Sequence, residues 1–222
     1  MTQRRMAVVL SGGGGYGGTE IHEAVLTLLA IEEAGATWHC FAPDVDQMHV
    51  IDHSRSAVAG GESRNVLVES ARIARGDIHD LAGYDPADYD ALVFPGGFGA
   101  AKNLSDFAVN GPAGTVNPDV AAAVAATQSA GKPLGFICIT PASVGAMTLG
   151  SRGVTLTIGT DAGTAEAVEA CGATHIDCPV EEAVIDRKHK VVSTPAYMLG
   201  PGVADVRKGI KELVDEIISL CE

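Results

Sequence analysis

The sequence predicts an α/β protein in which helices cover both faces of a mostly parallel sheet. Short apolar runs rich in Val, Ile, Leu and Phe alternate along the chain with segments of helical periodicity. Several of these runs end directly at glycine or proline, as buried strands of parallel sheets often do. The chain has 222 residues, so we expect a single domain over residues 1–222.

The predicted elements follow one another in regular order. Strands are expected at 6–10, 37–41, 90–94, 133–137, 154–158 and 174–177, where short apolar or β-branched runs occur. Helices are expected at 19–34, 62–75, 118–130, 161–170 and 203–219, where apolar residues recur at helical spacing. A polar turn at 187–189 between two β-prone runs predicts a β-hairpin insert near 183–193. The segments 44–61 and 98–117 have the weakest pattern.

Charge and cysteine usage restrict the class of protein. There are 15 Lys and Arg against 28 Asp and Glu, which gives a net charge of −13. Such a surface repels phosphate backbones and anionic lipid, so we expect neither nucleic acid nor a membrane as partner. The 5 cysteines are scattered without a CxxC pair, and the N-terminus lacks a signal-peptide pattern. We therefore expect a reduced cytoplasmic protein without a metal site.

A glycine-rich segment follows the first predicted strand. Residues 12–18 match the GxGxxG pattern twice, starting from Gly12 or from Gly13, so dinucleotide binding is one interpretation. The helix that follows opens with Glu20 and Glu23 and has no Lys or Arg nearby. Because these carboxylates would oppose a pyrophosphate at the helix N-terminus, we favour a site without a nucleotide or any other cofactor.

Two further strand ends carry residues suited to catalysis. Cys138 follows the strand at 133–137, and Pro141 is suited to begin a helix, which is typical of a nucleophile elbow. The N-terminus of that helix is expected to lower the pKa of Cys138 and so favour an accessible thiolate. A cysteine in this position is alternatively a buried core residue. The strand at 90–94 runs into Gly96 and Gly97, whose backbone N–H groups would be exposed. Together these segments predict an oxyanion hole formed by the N–H groups of Gly97 and Ile139.

The combination of these segments resembles a known family. The stretches that carry the resemblance are LSGGGGYGGTEIHEAVLTLLA, FAPD, ESRNVLVESARIARG, PGGFGAAKNLSDFA, GKPLGFICITPA, LTIGTD and TPAYML. They are similar to the ThiJ/PfpI superfamily, kin of the class I glutamine amidotransferases, and most closely to its ElbB (ES1-type) branch. The resemblance implies a flavodoxin-like three-layer sandwich and a homodimer. The first glycine loop departs from the family pattern, since it lacks the cysteine found there in many members.

The resemblance also implies roles for individual residues. Cys138 would be the nucleophile, and Glu23 the acid that hydrogen-bonds it. Near the same strand ends we name four candidate substrate-binding residues, Glu20, Gly96, Lys102 and Asn103. His22 is expected to face away from Cys138, because adjacent positions diverge on a helix. No histidine follows Cys138 directly, so protease and glutaminase chemistry would lack a proton shuttle.

The function that the resemblance implies is a cofactor-independent glyoxalase, a lyase acting on a small α-oxoaldehyde. Cys138 would add to glyoxal or methylglyoxal to give a hemithioacetal, and Glu23 would transfer a proton between the two carbons. Hydrolysis of the resulting thioester would release a 2-hydroxy acid. The alternative is a redox or stress-response protein, or a glycation-repair factor, in which a reactive Cys138 is oxidised or modified with little turnover.

Overall fold

A computed structural model describes residues 3–221, so the outermost residues of the predicted 1–222 domain lie outside the described range. The strands are β1 (Arg5–Val9), β2 (Thr37–Ala42), β3 (Ile51–Asp52), β4 (Ala57–Val58), β5 (Ile78–Asp80), β6 (Ala91–Phe94), β7 (Leu134–Ile137), β8 (Thr155–Leu156), β9 (Thr174–His175), β10 (Val184–Asp186) and β11 (Val191–Thr194). The α-helices are α1 (Ile21–Glu33), α2 (Val66–Ile73), α3 (Phe98–Asn103), α4 (Phe107–Asn110), α5 (Pro118–Ser129), α6 (Met147–Leu149), α7 (Ala162–Ala170) and α8 (Val203–Leu220). A π-helical turn spans Pro141–Ala146, and 3-10 turns span Leu81–Gly83, Pro86–Asp88, Gly111–Ala113, Gly150–Arg152 and Ala196–Met198.

Seven strands form the central sheet in the order β10–β11–β7–β6–β1–β2–β5. All neighbours in it are parallel except β10 and β11, which form an antiparallel hairpin at one edge. Strand β1 lies in the interior of the sheet, and its Val8 pairs with Cys40 of β2 and Val93 of β6. This arrangement confirms the predicted flavodoxin-like α/β fold with a mostly parallel sheet.

Alternate residues of β1 supply two hydrophobic cores, because successive side chains of a strand point to opposite faces. Met6 and Val8 pack into a core that includes apolar side chains of α1 and α8. Ala7 and Val9 pack into the other core, which includes side chains of α5, the π-helical turn and α7. The central sheet is therefore covered on both faces, which is the predicted three-layer arrangement.

Three local features differ from the expectations. The hairpin near 183–193 is present, but β10 and β11 are strands of the central sheet and not an insert. The weakly patterned segment 44–61 contains the short antiparallel hairpin β3–β4. Of the strand predicted at 154–158, only β8 forms, and it pairs with β9 in a separate two-stranded sheet. Each of these strands is only two to four residues long, too short for periodicity to identify.

The topology places a crevice beside β1. The chain passes from β1 to β2 on one side, and β6 lies on the other side, so the strand order reverses between β1 and β6. Ligands of open α/β sheets bind outside the carboxyl ends of the strands at such a point. The loops after β1, β6 and β7 therefore meet where a binding site is expected. None of the described helices is long and apolar enough to cross a membrane.

Candidate active site

Cys138 lies at a sharp turn between β7 and the π-helical turn. Its backbone has φ 65°, a left-handed conformation that non-glycine residues rarely adopt. The Thr140 hydroxyl fixes this turn, because it accepts a hydrogen bond from Ile137 N–H at 2.8 Å and lies 2.9 Å from the carbonyl oxygen of Phe94. Nucleophile elbows usually carry glycine two residues after the nucleophile. Here that residue is Thr140, and its side chain links β7 to β6. Only 7% of Cys138 is exposed.

Glu23 lies on α1 beneath the elbow and is fully buried. Its Oε2 accepts a hydrogen bond from Gly96 N–H at 2.9 Å, and its Oε1 accepts one from Tyr197 N–H at 3.1 Å. The carboxyl group also interacts with the thiol of Cys138. Glu20 caps the helix, since its Oε2 accepts the N–H of Glu23 at 2.9 Å. The predicted pair of Cys138 and Glu23 is thus assembled.

Burial controls the protonation of this pair. It raises the pKa of Glu23 from 4.5 to about 7, although the two backbone N–H groups and Cys138 lower it in part. Burial and the adjacent Glu23 also raise the pKa of the Cys138 thiol well above its usual value. The resting site therefore holds a thiol, which differs from the accessible thiolate that the helix N-terminus suggested. Near neutral pH, Glu23 is therefore the member of the pair that gains and loses a proton.

The turn after β6 lies against both members of the pair. A side chain on Gly96 would place its Cβ 2.7 Å from Glu23 Oε2, so only glycine fits. Gly97 has φ 100°, which also favours glycine. The N–H groups of Gly97 and Ile139 both lower the pKa of Cys138, because they donate toward its sulfur. Two backbone donors thus converge beside the sulfur, as an oxyanion hole requires.

A cavity of about 820 Å³ opens in front of Cys138. It is lined by Gly15, Tyr16, Glu20, His22, His53, Gly97, Phe98, Ala101, Phe107, Ala108, Cys138, Ile139, Thr164, Tyr197 and Met198. Four of the predicted site residues, Cys138, Gly97, Ile139 and Glu20, are among them. Glu23 and Gly96 lie behind this lining and contact the site through Cys138.

Lys102 and Asn103 are placed differently from the expectation that they bind substrate, since neither lines the cavity. The Lys102 amine donates to the carbonyl oxygen of Tyr16 at 3.0 Å and lies 5.7 Å from the centre of the Phe98 ring. Asn103 is buried, and its amide nitrogen donates to Ser11 and to the glycine loop. Its Oδ1 accepts the N–H of Met48 at 2.9 Å. Asn103 therefore joins three segments of backbone.

The glycine loop is a packing surface. The N–H groups of Gly12, Gly14, Gly17 and Gly18 all donate to other groups of the protein, which leaves none of these four for a pyrophosphate. The β3–β4 segment covers the loop so closely that a Cβ at Gly14 would lie 2.6 Å from the His53 ring. This arrangement disfavours the dinucleotide interpretation and explains why the loop needs so many glycines.

Two histidines line the cavity, and neither was predicted as a catalytic or substrate-binding residue. His22 Nδ1 lies 2.9 Å from Tyr197 Oη and 4.0 Å from Glu20 Oε1. The His53 ring stacks on Tyr16 with 5.3 Å between their centres. The position of His22 on α1 does not by itself show that it lines the cavity, because the side on which the cavity opens must also be known. His53 is unpredictable from local pattern, because it reaches the site from the hairpin segment. In residues 3–221, no three His, Cys, Asp or Glu side chains gather as metal ligands.

No family model matches the sequence. The chain is 50% identical over 225 residues to human glutamine amidotransferase-like class 1 domain-containing protein 3, mitochondrial, which covers 97% of this chain and 83% of that protein. It is 48% identical over the same length to the rat ES1 protein homolog, mitochondrial, with 97% of this chain and 84% of that protein covered. A solved structure of an isoprenoid biosynthesis protein with an amidotransferase-like domain from Ehrlichia chaffeensis matches with TM-score 0.92 and 36% identity, covering 99% of this chain and 100% of that one.

Further similarities concern the fold and the location of the protein. A DJ-1 superfamily protein from Salmonella typhimurium matches with TM-score 0.56 and 22% identity over 99% of this chain and 89% of that one, which shows the shared fold. Both mammalian relatives are named as mitochondrial proteins. The expectation of a cytoplasmic location was therefore wrong; it rested on the scattered cysteines and on the lack of a signal-peptide pattern.

Proposed function

The chain belongs to the ES1 family of glutamine amidotransferase-like proteins, which has the ThiJ/PfpI and DJ-1 fold, and on that premise we propose that it is a cofactor-independent glyoxalase. Its substrate is glyoxal or methylglyoxal, and its product is a 2-hydroxy acid. Cys138 is the nucleophile and Glu23 is its acid–base partner. The observation that carries the proposal is that Cys138 and the buried carboxyl group of Glu23 lie side by side against Gly96. Burial raises the pKa of this carboxyl group to about 7.

Glu23 takes the place of the histidine that activates many catalytic cysteines. A carboxylate with a pKa of about 7 is present in substantial amount at neutral pH and is basic enough to accept a proton. As the sulfur attacks the aldehyde carbon, the thiol proton passes to Glu23 and the carbonyl oxygen gains negative charge. The N–H groups of Gly97 and Ile139 lie beside the sulfur and stabilise that charge. The oxygen takes its proton from solvent in the open cavity, which completes the hemithioacetal, and Glu23 keeps the thiol proton until the sulfur is released again.

The charge of the cavity supports a neutral substrate. Of the described residues that line it, none is Lys or Arg, whereas Glu20 is acidic. The nearby amine of Lys102 is held by the carbonyl oxygen of Tyr16. Glutamine or another carboxylate would therefore lose its hydration without gaining an ion pair. An α-oxoaldehyde carries no charge and avoids this cost.

The same site disfavours the alternative of a redox sensor. Sensor cysteines are accessible and have a low pKa, because the thiolate is the form that peroxide oxidises. Cys138 is 7% exposed, and burial together with Glu23 raises the pKa of its thiol. A thiol of this kind reacts when a base removes its proton during attack, which suits repeated turnover better than oxidation.

The experiment measures consumption of glyoxal and methylglyoxal by the purified protein and quantifies the hydroxy-acid product. Many turnovers per chain are expected. Cys138→Ser and Glu23→Gln are expected to lose at least about 100-fold in kcat, the usual contribution of a general acid–base group. Cys171→Ser is the matched control, because it removes a half-buried thiol at the end of α7 and should turn over normally.

Two outcomes would refute the proposal. Consumption that stops at one aldehyde per chain would identify a protein that is modified and not an enzyme. Turnover that survives in Cys138→Ser would place the chemistry elsewhere. Thermal melting of each variant separates a loss of activity from a loss of folding.

A further inference from the structure

We propose that His22 is a second catalytic residue, which carries a proton between the two substrate carbons. This inference rests on the glyoxalase proposed above and assigns a step that Glu23 is not placed to perform. Glu23 is fully buried and does not line the cavity. Its two oxygens accept hydrogen bonds from Gly96 and Tyr197, and it meets the substrate only through Cys138. It can therefore exchange the thiol proton, whereas a proton on carbon needs a base inside the cavity.

The cavity offers few such bases. Apart from Cys138, its titratable lining residues are Tyr16, Glu20, His22, His53 and Tyr197. The two phenols are poor bases, since phenols hold their protons at neutral pH. Burial and the charges of Glu20 and Glu23 raise the pKa of Tyr197 further. Glu20 is occupied as the cap of α1.

The two histidines differ in the use of their ring nitrogens. His53 has both engaged, because Nδ1 lies 3.1 Å from the Ile51 carbonyl oxygen and Nε2 accepts the N–H of Tyr16 at 3.3 Å. His22 engages only Nδ1, which lies 2.9 Å from Tyr197 Oη. Within residues 3–221, no hydrogen bond occupies its Nε2. With Nδ1–H donating to the tyrosine oxygen, Nε2 keeps a lone pair available to substrate.

Tyr197 connects the two proposed acid–base groups. Its backbone N–H donates to Glu23 at 3.1 Å, and its hydroxyl binds His22 at 2.9 Å. One residue thus positions the carboxyl group behind Cys138 and the imidazole in front of it. Glu20 Oε1 lies 4.0 Å from Nδ1 of His22, so it stabilises the imidazolium that forms when the ring accepts a proton.

The step balances without any added oxidant or reductant. In the hemithioacetal, C1 carries the sulfur, a hydroxyl and a hydrogen, and C2 is a carbonyl. His22 removes the proton from C1 and becomes an imidazolium. The electron pair forms the C1=C2 bond of an enediolate as the hydroxyl proton passes from O1 to O2, which leaves the negative charge on O1. His22 then delivers its proton to C2 while C1=O forms. C1 is oxidised, C2 is reduced, and the product is a thioester on Cys138 that water hydrolyses.

The test compares His22→Gln with the wild type, and uses His79→Gln as the control because His79 is exposed on β5. Glyoxal is the probe. We expect His22→Gln to form the Cys138 adduct at the normal rate, seen as a mass increase in the intact protein, and to lose about 100-fold or more in kcat. The adduct should then accumulate. Deuterated glyoxal should show a larger isotope effect on kcat in His22→Gln than in the wild type, which a merely structural role would not produce.

The outcomes separate this inference from the function on which it rests. If the wild type does not turn over glyoxal, the glyoxalase and the role of His22 both fail. If the wild type is active, Cys138→Ser is inactive and His22→Gln retains kcat within about twofold, only the role of His22 is refuted. If His22→Gln melts normally but forms no adduct, the residue acts in the addition step, which also refutes the inference. Tyr197→Phe offers a second variant. It keeps the aromatic ring at position 197 and removes the hydroxyl group that binds His22.

Discussion

Replacement of Glu23 by glutamine is expected to change how the stability of the protein depends on pH. The pKa of Glu23 rises from 4.5 to about 7 in the folded protein, because the carboxyl group is buried. This rise corresponds to about 3 kcal/mol, since each tenfold change in proton affinity is worth about 1.4 kcal/mol. Between these two pH values the folded protein binds more protons than the unfolded chain. The stabilising contribution of the protonated group is therefore complete below pH 4.5 and is lost as the pH rises through 7.

The assay is urea unfolding of wild type and Glu23→Gln at several pH values. Glutamine never ionises, but its amide nitrogen faces one of the two backbone N–H groups that bind the carboxyl oxygens. That mismatch costs about 1–3 kcal/mol at every pH. The advantage of the wild type should therefore shrink by about 2.5 kcal/mol between pH 5 and pH 8. Glu166→Gln on the exposed face of α7 controls for the loss of one negative charge. A change below about 1 kcal/mol over this range would mean that Glu23 titrates like an exposed acid, which would refute the argument.

Three other substitutions distinguish the proposed catalytic pair from its support. Gly96→Ala should abolish turnover in a folded protein, because the new Cβ would lie 2.7 Å from Glu23 Oε2 and displace it from Cys138; activity near the wild-type level would contradict this geometry. Asn103→Ala should lower the free energy of unfolding by about 2–4 kcal/mol, since two buried hydrogen bonds and one partly buried hydrogen bond are lost, while KM stays unchanged. Lys102→Met should change that free energy by less than about 1 kcal/mol, and a larger loss than in Asn103→Ala would reverse the assignment.

The sequence pattern was sufficient to predict that Cys138 and Gly97 lie close together. Both follow the carboxyl ends of strands predicted by their apolar pattern, and parallel strands bring such ends to one edge of the sheet. The place of Glu23 beside Cys138 was implied by the family resemblance, because Glu23 lies within α1. The role of Thr140 in the elbow was not predicted, because its contact with the Phe94 carbonyl oxygen depends on the pairing of β6 and β7.

Predictions that depended on the surroundings of a side chain were less successful. His22 was expected to face elsewhere because it adjoins Glu23 on α1. It does diverge from Glu23, but the cavity lies on the side to which it turns. The pKa of Cys138 was expected to be low from its position before a helix, yet its burial and the adjacent Glu23 outweigh the backbone N–H groups. Neither the extent of burial nor the side on which a cavity opens can be read from local spacing.

The outer wall of the cavity is built from parts of the chain that the central sheet does not need. Tyr16 comes from the glycine loop and His53 from the β3–β4 segment, and their stacked rings line the same cavity as Cys138. In the glyoxalase proposed above, insertions or exchanges between residues 44 and 61 are therefore expected to alter which aldehydes are accepted while the reacting groups stay in place. Chemistry and selectivity would then lie on separate parts of the chain, so that one can diverge during evolution or be redesigned without the other.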